Sequence, residues 1–305
     1  MYPDQKSEKV VEKLRQSDFA LLACLWWPHV DLNTLRLLSC LALWYLLWDD
    51  ELESRYPDVE GNGNAAETFR MYTRAAISMS IGISEENRKT LEDAPHLVQL
   101  FCPLGSGIKS RISEDNRVLL LQMIDKILED SKKEQHFVVT ERLPSIEQFW
   151  EFRTGTNLME ALYPITSLTT EIELLPNEMR HPLLRAYWEQ INKIIAITND
   201  ILSFKKEIEK KETLNLVFLI YFELGNLQDA IDSTVKILVE AVDESRRLKA
   251  KVLALTEEHI HRFIEAWDFY AIGFLHWSLV TARYGLNPFL QEDGTFIVSL
   301  SECFS

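Results

Sequence analysis

Residues that interrupt regular structure are scarce in this chain: ten glycines and ten prolines in 305 residues. No Gly/Ser-rich or Pro-rich linker and no repeat divides it, so a single domain spanning 1–305 is expected. Cysteine is rarer still. Cys24, Cys40, Cys102 and Cys303 lie far apart with no C-x-x-C pair, which argues against zinc spacing and for free thiols in a reducing compartment. Positive charge is in deficit, with 32 Lys+Arg against 47 Asp+Glu and a net charge of −15. Such a balance suits neither nucleic acid nor an anionic membrane. An anionic substrate would need metal ions or a local arginine cluster. Apolar runs are cut by Arg36 or by acidic residues before the roughly 20 residues that a membrane span requires. The polar start, MYPDQKSEKVVEKLRQ, does not read as a signal peptide. A cytoplasmic protein, monomeric or homodimeric, is expected.

Alternating strand patterns are also missing. The long periodic segments repeat near every 3.6 residues, which predicts an all-α fold. Helices are expected over about 5–26, 31–54, 64–81, 109–137, 145–171, 178–211, 214–224, 227–254 and 257–284. Ser145 and Gln148 form a capping box after Pro144. Gly285 and Pro288 mark the end of the last helix. The stretches 55–63 and 102–108 read as surface connections.

Three of these helices carry polar residues on an otherwise apolar face. In LALWYLLWDDELE, stepping back from Asp49 by helical spacing meets Tyr45, then Leu41 or Ala42, then Leu38, so Asp49 continues a core-facing stripe. Glu53 follows one turn later, whereas Asp50 and Glu51 point elsewhere. A buried carboxylate needs a cation, a donor or a solvated cavity, and carboxylates one turn apart suit Mg²⁺. In AITNDILSFKKE, the stripe Leu184, Trp188, Ile191, Ile195 runs on into Asn199, Ser203 and Glu207, an amide, a hydroxyl and a carboxylate in a row. Helix interiors disfavour Asn and Ser without a partner. The last helix aligns Tyr270, Phe274, Trp277, Thr281 and Tyr284, with Arg283 beside the last of them. On an ideal helix Arg283 points away from this stripe, so a role at a site requires the final turn to loosen. A fourth segment, SIEQFWEFRTGTNLMEAL, puts Phe149, Arg153 and Asn157 on one face, with Gly155 as a potential bend.

WDDELE, NDILSFKKE and WSLVTARY together resemble the class I terpene synthases of microbial type, over roughly 17 to 288. Asp49, Asp50 and Glu53 match that family's aspartate-rich motif. Asn199, Asp200, Ser203 and Glu207 match its second metal motif, with Lys206 before the glutamate. Arg283 and Tyr284 match its C-terminal pair, and Arg153 falls where the family keeps a diphosphate-sensing arginine. The resemblance implies a bundle of antiparallel helices around a deep apolar cavity, and cyclisation of a prenyl diphosphate, most often farnesyl diphosphate, to a sesquiterpene. It implies three Mg²⁺ ions, replaceable by Mn²⁺: Asp49 with Glu53 (and Asp50 by motif) for two, Asn199, Ser203 and Glu207 for the third. Arg153, Lys206, Arg283 and Tyr284 would grip the diphosphate. Tyr45, Phe149, Asn157, Phe274 and Trp277 are expected to line the cavity. Thr156 and Asn157 depart from the family's usual residues after the arginine. The 48 residues before Asp49 are fewer than relatives usually have, so the first helix or a segment closing the pocket is expected to be shortened; if that segment helps exclude water, either weak activity or simple alcohols quenched by water would follow. Two rival readings are a chain-elongating prenyltransferase, which should carry two DDxxD motifs, and a catalytically impaired helical homologue.

Overall fold

The computed structural model describes residues 11–12, 14–56, 65–84, 91–293, 295 and 297. Helices dominate these residues and no β-strand occurs among them. The expected start of the first helix, most of the 55–63 connection and Cys303 lie outside the described residues. Those helices that place the site are α1 (Phe19–Trp26), α2 (Leu32–Glu53), α3 (Ala65–Ser80), α4 (His96–Gln99), α5 (Phe101–Lys109), α6 (Glu114–Thr140) and α7 (Ile146–Thr156), followed by α8 (Leu162–Thr170), α9 (Pro176–Met179), α10 (Pro182–Lys210), α11 (Leu216–Leu224), α12 (Leu227–Leu255) and α13 (Glu258–Val280). No described helix is long and apolar enough to cross a membrane.

Local chemistry explains most of these boundaries. Asp31 accepts from the N–H groups of Asn33 and Thr34 to start α2. Ser145 and Gln148 form the expected capping box on α7. The expected helix 145–171 does not run through. Leu158, at φ 65°, breaks it, and a short 3₁₀ turn (Met159–Ala161) leads into α8. Gly155 marks the approach to this break: a Cβ there would sit 2.2 Å from an Asp130 carboxylate oxygen. The stretch 102–108, expected as a loop, is helical. A Cβ on its Gly105 would meet the Ser80 hydroxyl at 2.0 Å, so that glycine permits close packing of α5 on α3 instead of signalling a turn. The last helix ends at Val280, four residues before the expected Tyr284, and Gly285 serves a turn beyond it.

α10 is the central strut, packed against α12 and α13, while α13 also leans on α1 and α8. The main core joins α1, α2, α3, α6, α8 and α13. A second apolar cluster, with Phe149, Phe152, Ile194, Ile197 and Val217, lies where α7, α10 and α11 meet. α10 thus has one face in each cluster, and its polar end emerges between them.

Candidate active site

A cavity of about 1030 Å³ opens between α2, α6, α7, α10 and the turn after α13. Its deeper wall is apolar and aromatic, including Leu22, Trp26, Tyr45, Leu162, Phe274 and Trp277. Trp277 is anchored by its indole N–H, which donates to the Ser17 carbonyl at 2.8 Å. Among the described residues, the buried Tyr45 hydroxyl meets no hydrogen-bond partner.

Charged groups gather towards the mouth on two opposed walls. On the α2 side stand Asp49, Asp50 and Glu53, joined by Glu134 of α6. Burial, then the neighbouring charges of Glu134 and Asp50, pushes the Asp49 carboxyl up to about 8. Burial also raises Glu134, which accepts from the Tyr56 hydroxyl at 3.0 Å. Glu53 is driven upward by burial among the same carboxylates, yet its surface is exposed, so water screens its repulsion and Asp49 is the firmer marker. Asp50 is on the wall as well, although helical spacing turns it from the Asp49 stripe; its carboxylate lies 3.8 Å from the Arg283 guanidinium. Glu51 pairs with Arg55.

On the α10 side, Asn199 and Glu207 line the cavity and are already engaged. The Arg153 guanidinium donates to the Asn199 Oδ1 at 2.8 Å and forms a close ion pair with buried Asp200. Asn199 in turn donates to the Tyr284 hydroxyl at 2.8 Å. Burial pushes the Asp200 carboxyl up to about 6, with Arg153 opposing it. Asp200 also accepts from the Leu216 N–H at 3.0 Å, so it is a strut behind the wall. Ser203 is fully buried and off the wall, and its hydroxyl donates back to the Asn199 carbonyl at 2.7 Å. Lys206 faces the cavity, its pKa lowered by burial and then by Arg283 and Lys210. Arg283 and Tyr284 reach the wall because the chain leaves α13 at Thr281, whose hydroxyl donates to the Ser17 carbonyl at 2.8 Å.

Phe149 is a correction. It is fully buried in the second cluster, 5.6 Å from the Phe152 ring, and is not on the cavity wall. Only the C-terminal turn of α7 reaches the cavity, through Arg153, Thr156 and Asn157, and the turn before it packs on α10 and α11. Asn157 does line the cavity; its amide donates to the Asn192 carbonyl at 3.2 Å. Sequence reasoning missed Glu134. The signal was present: Leu120, Ile124, Ile127 and Ser131 form a buried stripe that ends on Glu134, the same apolar-to-acidic change as at Asp49.

Chemically, the α2 wall crowds carboxylates, whereas the α10 side brings the cations Arg153, Lys206 and Arg283 together beside Asp200 and Glu207. Carboxylates that repel one another call for cations, and the cluster Arg153, Lys206 and Arg283 calls for an anion. The available donors on the acidic side are oxygens only, which suits a hard divalent ion. Among the described residues no three acidic, histidine or cysteine side chains close around one point. An ion here would therefore complete its shell with water or substrate oxygens, as Mg²⁺ commonly does.

The sequence model of the family described as "Terpene synthase family 2, C-terminal metal binding" matches residues 40–244. The chain is similar to the sesquiterpene cyclase hepA of Aspergillus oryzae, 22% identical over 96% of this chain and 82% of that one. It is 27% identical to the (3S,6E)-nerolidol synthase of Selaginella moellendorffii, over 97% of this chain and 79% of that one. Its fold matches the crystal structure of linalool/nerolidol synthase from Streptomyces clavuligerus, with a TM-score of 0.76 at 14% identity over 90% of this chain and 89% of that one. It likewise matches that of α-eudesmol synthase, with a TM-score of 0.75 at 17% identity over 92% of this chain and 89% of that one. The chain belongs to terpene synthase family 2 and is an enzyme of the class I terpene synthase type.

Proposed function

We propose that this terpene synthase ionises farnesyl diphosphate and cyclises the resulting cation to a sesquiterpene, hydrocarbon or alcohol, releasing diphosphate. The observation that carries this reading is the division of one cavity into a charged mouth and an aromatic interior. The names of the relatives support the C15 substrate: one is a sesquiterpene cyclase, another a nerolidol synthase.

The donor set fits Mg²⁺. Asp49, with Asp50 and Glu53, would hold ions on one wall, and Asn199 and Glu207 on the other; Ser203, expected as the third ligand there, lies behind the wall and would join only by giving up its hydrogen bond to the Asn199 carbonyl. Bound there, the ions supply the positive charge that stabilises the departing diphosphate. Arg153, Lys206, Arg283 and Tyr284 bind the same group directly. Arg153 and Asn199 must exchange their mutual hydrogen bond for ligand contacts, so the resting wall opens as substrate enters. Heterolysis of the allylic C–O bond leaves both electrons on oxygen and an allylic cation in the cavity. The faces of Tyr45, Phe274 and Trp277 stabilise that cation, and the apolar wall excludes water until a proton is lost or a water molecule adds. The protein acts without a membrane or nucleic acid, in the cytoplasm, as a monomer or homodimer.

Incubation with C10, C15 and C20 prenyl diphosphates and Mg²⁺, followed by mass spectrometry of the volatiles, tests this. A cyclic C15 product is expected. Absence of product from all three with folded protein overturns it, and longer diphosphates formed with added isopentenyl diphosphate would point to chain elongation instead.

A further inference from the structure

Asn215 stands outside every motif described above and does not line the cavity. It is nevertheless fully buried, and its amide performs three tasks at once. Its Nδ2 donates to the Glu207 Oε2 at 2.7 Å and to the Asp200 carbonyl at 2.7 Å. Its Oδ1 accepts from the Val217 N–H at 2.8 Å, capping α11. The next residue continues the link, because the Leu216 N–H donates to the Asp200 side chain, whose other oxygen holds Arg153. The start of α11 is therefore stapled to the polar end of α10, and through it to Arg153.

We propose that Asn215 is the positioning residue that sets the orientation of Glu207 for cation binding. A lone glutamate three turns from the centre of α10 has several rotamers. One charge-assisted donor on one oxygen selects among them and leaves the other oxygen free for the cavity. The helix cap alone does not require this geometry: capping uses Oδ1, whereas the contact with Glu207 uses Nδ2. An N-cap aspartate or serine would cap as well as asparagine, yet neither reproduces the amide donor that reaches Glu207. The inference rests on the reading of Glu207 as a cation ligand, and its test separates the two.

The experiment compares the wild-type protein with Asn215→Ser and Asn215→Asp, both of which keep an oxygen for the Val217 N–H. Melting temperature is followed as Mg²⁺ is titrated at fixed inorganic diphosphate, alongside the Mg²⁺ dependence of turnover. The wild-type melting temperature should rise with Mg²⁺. In both variants the half-saturating Mg²⁺ concentration should increase about tenfold or more, the usual cost of losing a hydrogen bond behind a metal ligand. In a Glu207→Gln background the Asn215→Ser change should add little to that shift, since the contact it removes has already lost its charge. Variants that fold and saturate at the wild-type concentration overturn the positioning role while leaving the function intact. Failure of both to fold also overturns it, because Asn215 is then a determinant of stability alone. No response of the wild-type protein overturns the cation-ligand reading, and the inference with it.

Discussion

At the end of α2, Asp49 and Glu53 face the cavity beside Glu134 of α6 as crowded carboxylates, with the Tyr56 hydroxyl donating to Glu134. Across from them on α10, the polar groups are already paired: Asn199 with Arg153 and Tyr284, Asp200 with Arg153 and the Leu216 N–H, Glu207 with Asn215. Both walls interrupt an apolar helical face, and both carry stretches that resemble metal motifs. They differ in where the balancing donors come from. The α10 wall draws them from α7, α11 and the turn after α13, so folding itself sets its geometry. The α2 wall depends more on a ligand, and its repulsion is the physical basis for attracting one. A site of this kind has a prepared half and a responsive half.

Removing the main cation of the prepared wall should have the largest effect. Arg153→Ala leaves Asp200 buried and unpaired, and should lower stability by about 3–5 kcal/mol in denaturant melts. Adding Asp200→Asn should recover part of that loss, because the stranded charge disappears; no recovery would mean that the pair is not what holds this wall.

The responsive wall should behave in the opposite way. Asp49→Asn should reduce turnover by about 10²–10³-fold, the range for losing one electrostatic contribution to a transition state. Its effect on the metal-free fold is expected to be favourable at high pH. The Asp49 carboxyl titrates near 8 when folded and near ~3.9 when unfolded. The folded state thus retains the proton between those values. Its contribution to stability is full below pH ~4 and is lost as pH rises through about 8. Melting temperatures without added metal should therefore fall from pH 5 to pH 9 in the wild-type protein and fall less in Asp49→Asn. Equal slopes would remove Asp49 from the strained set.

Three smaller substitutions sharpen the contrast between cavity and core. Phe149→Leu should cost about 1 kcal/mol of stability without altering the product mixture, because Phe149 belongs to the second cluster. Phe274→Leu, on the wall, should change the mixture. The reverse outcome would put Phe149 back at the site. Tyr56→Phe should cost about 0.5–1.5 kcal/mol by removing a donor to Glu134, and a melt identical to wild type would show that solvent serves Glu134 equally well.

Much of this was legible in one dimension. The stripes ending at Asp49 and at Asn199 and Glu207 could be counted along the chain because a helix repeats every 3.6 residues. The positions of Asp49, Asn199, Glu207, Phe274 and Trp277 on the wall follow from that periodicity. It failed where another element intervened. Gly105 reads as a loop signal until Ser80 is seen against it, and Phe149 shares a helical face with Arg153 but meets α10 and α11 instead of the cavity. Arg283 points away on an ideal helix and faces the cavity only because Thr281 ends α13 on the Ser17 carbonyl. Glu134 lay within reach of the same stripe argument, but it had no matching motif to draw attention to it.

The sequence by itself determined the helical class, the faces of the individual helices, and the order and types of residue that make a terpene synthase, because those depend on neighbours within a few positions. Tertiary structure alone decided which polar group answers which. Arg153 meets Asn199 across 46 residues, Asn199 meets Tyr284 across 85, and Tyr56 meets Glu134 across 78. Helical periodicity says which side of its own helix a residue occupies. What stands opposite is set by the packing of helices that are distant in the chain, and that packing makes one wall of the cavity prepared and the other responsive.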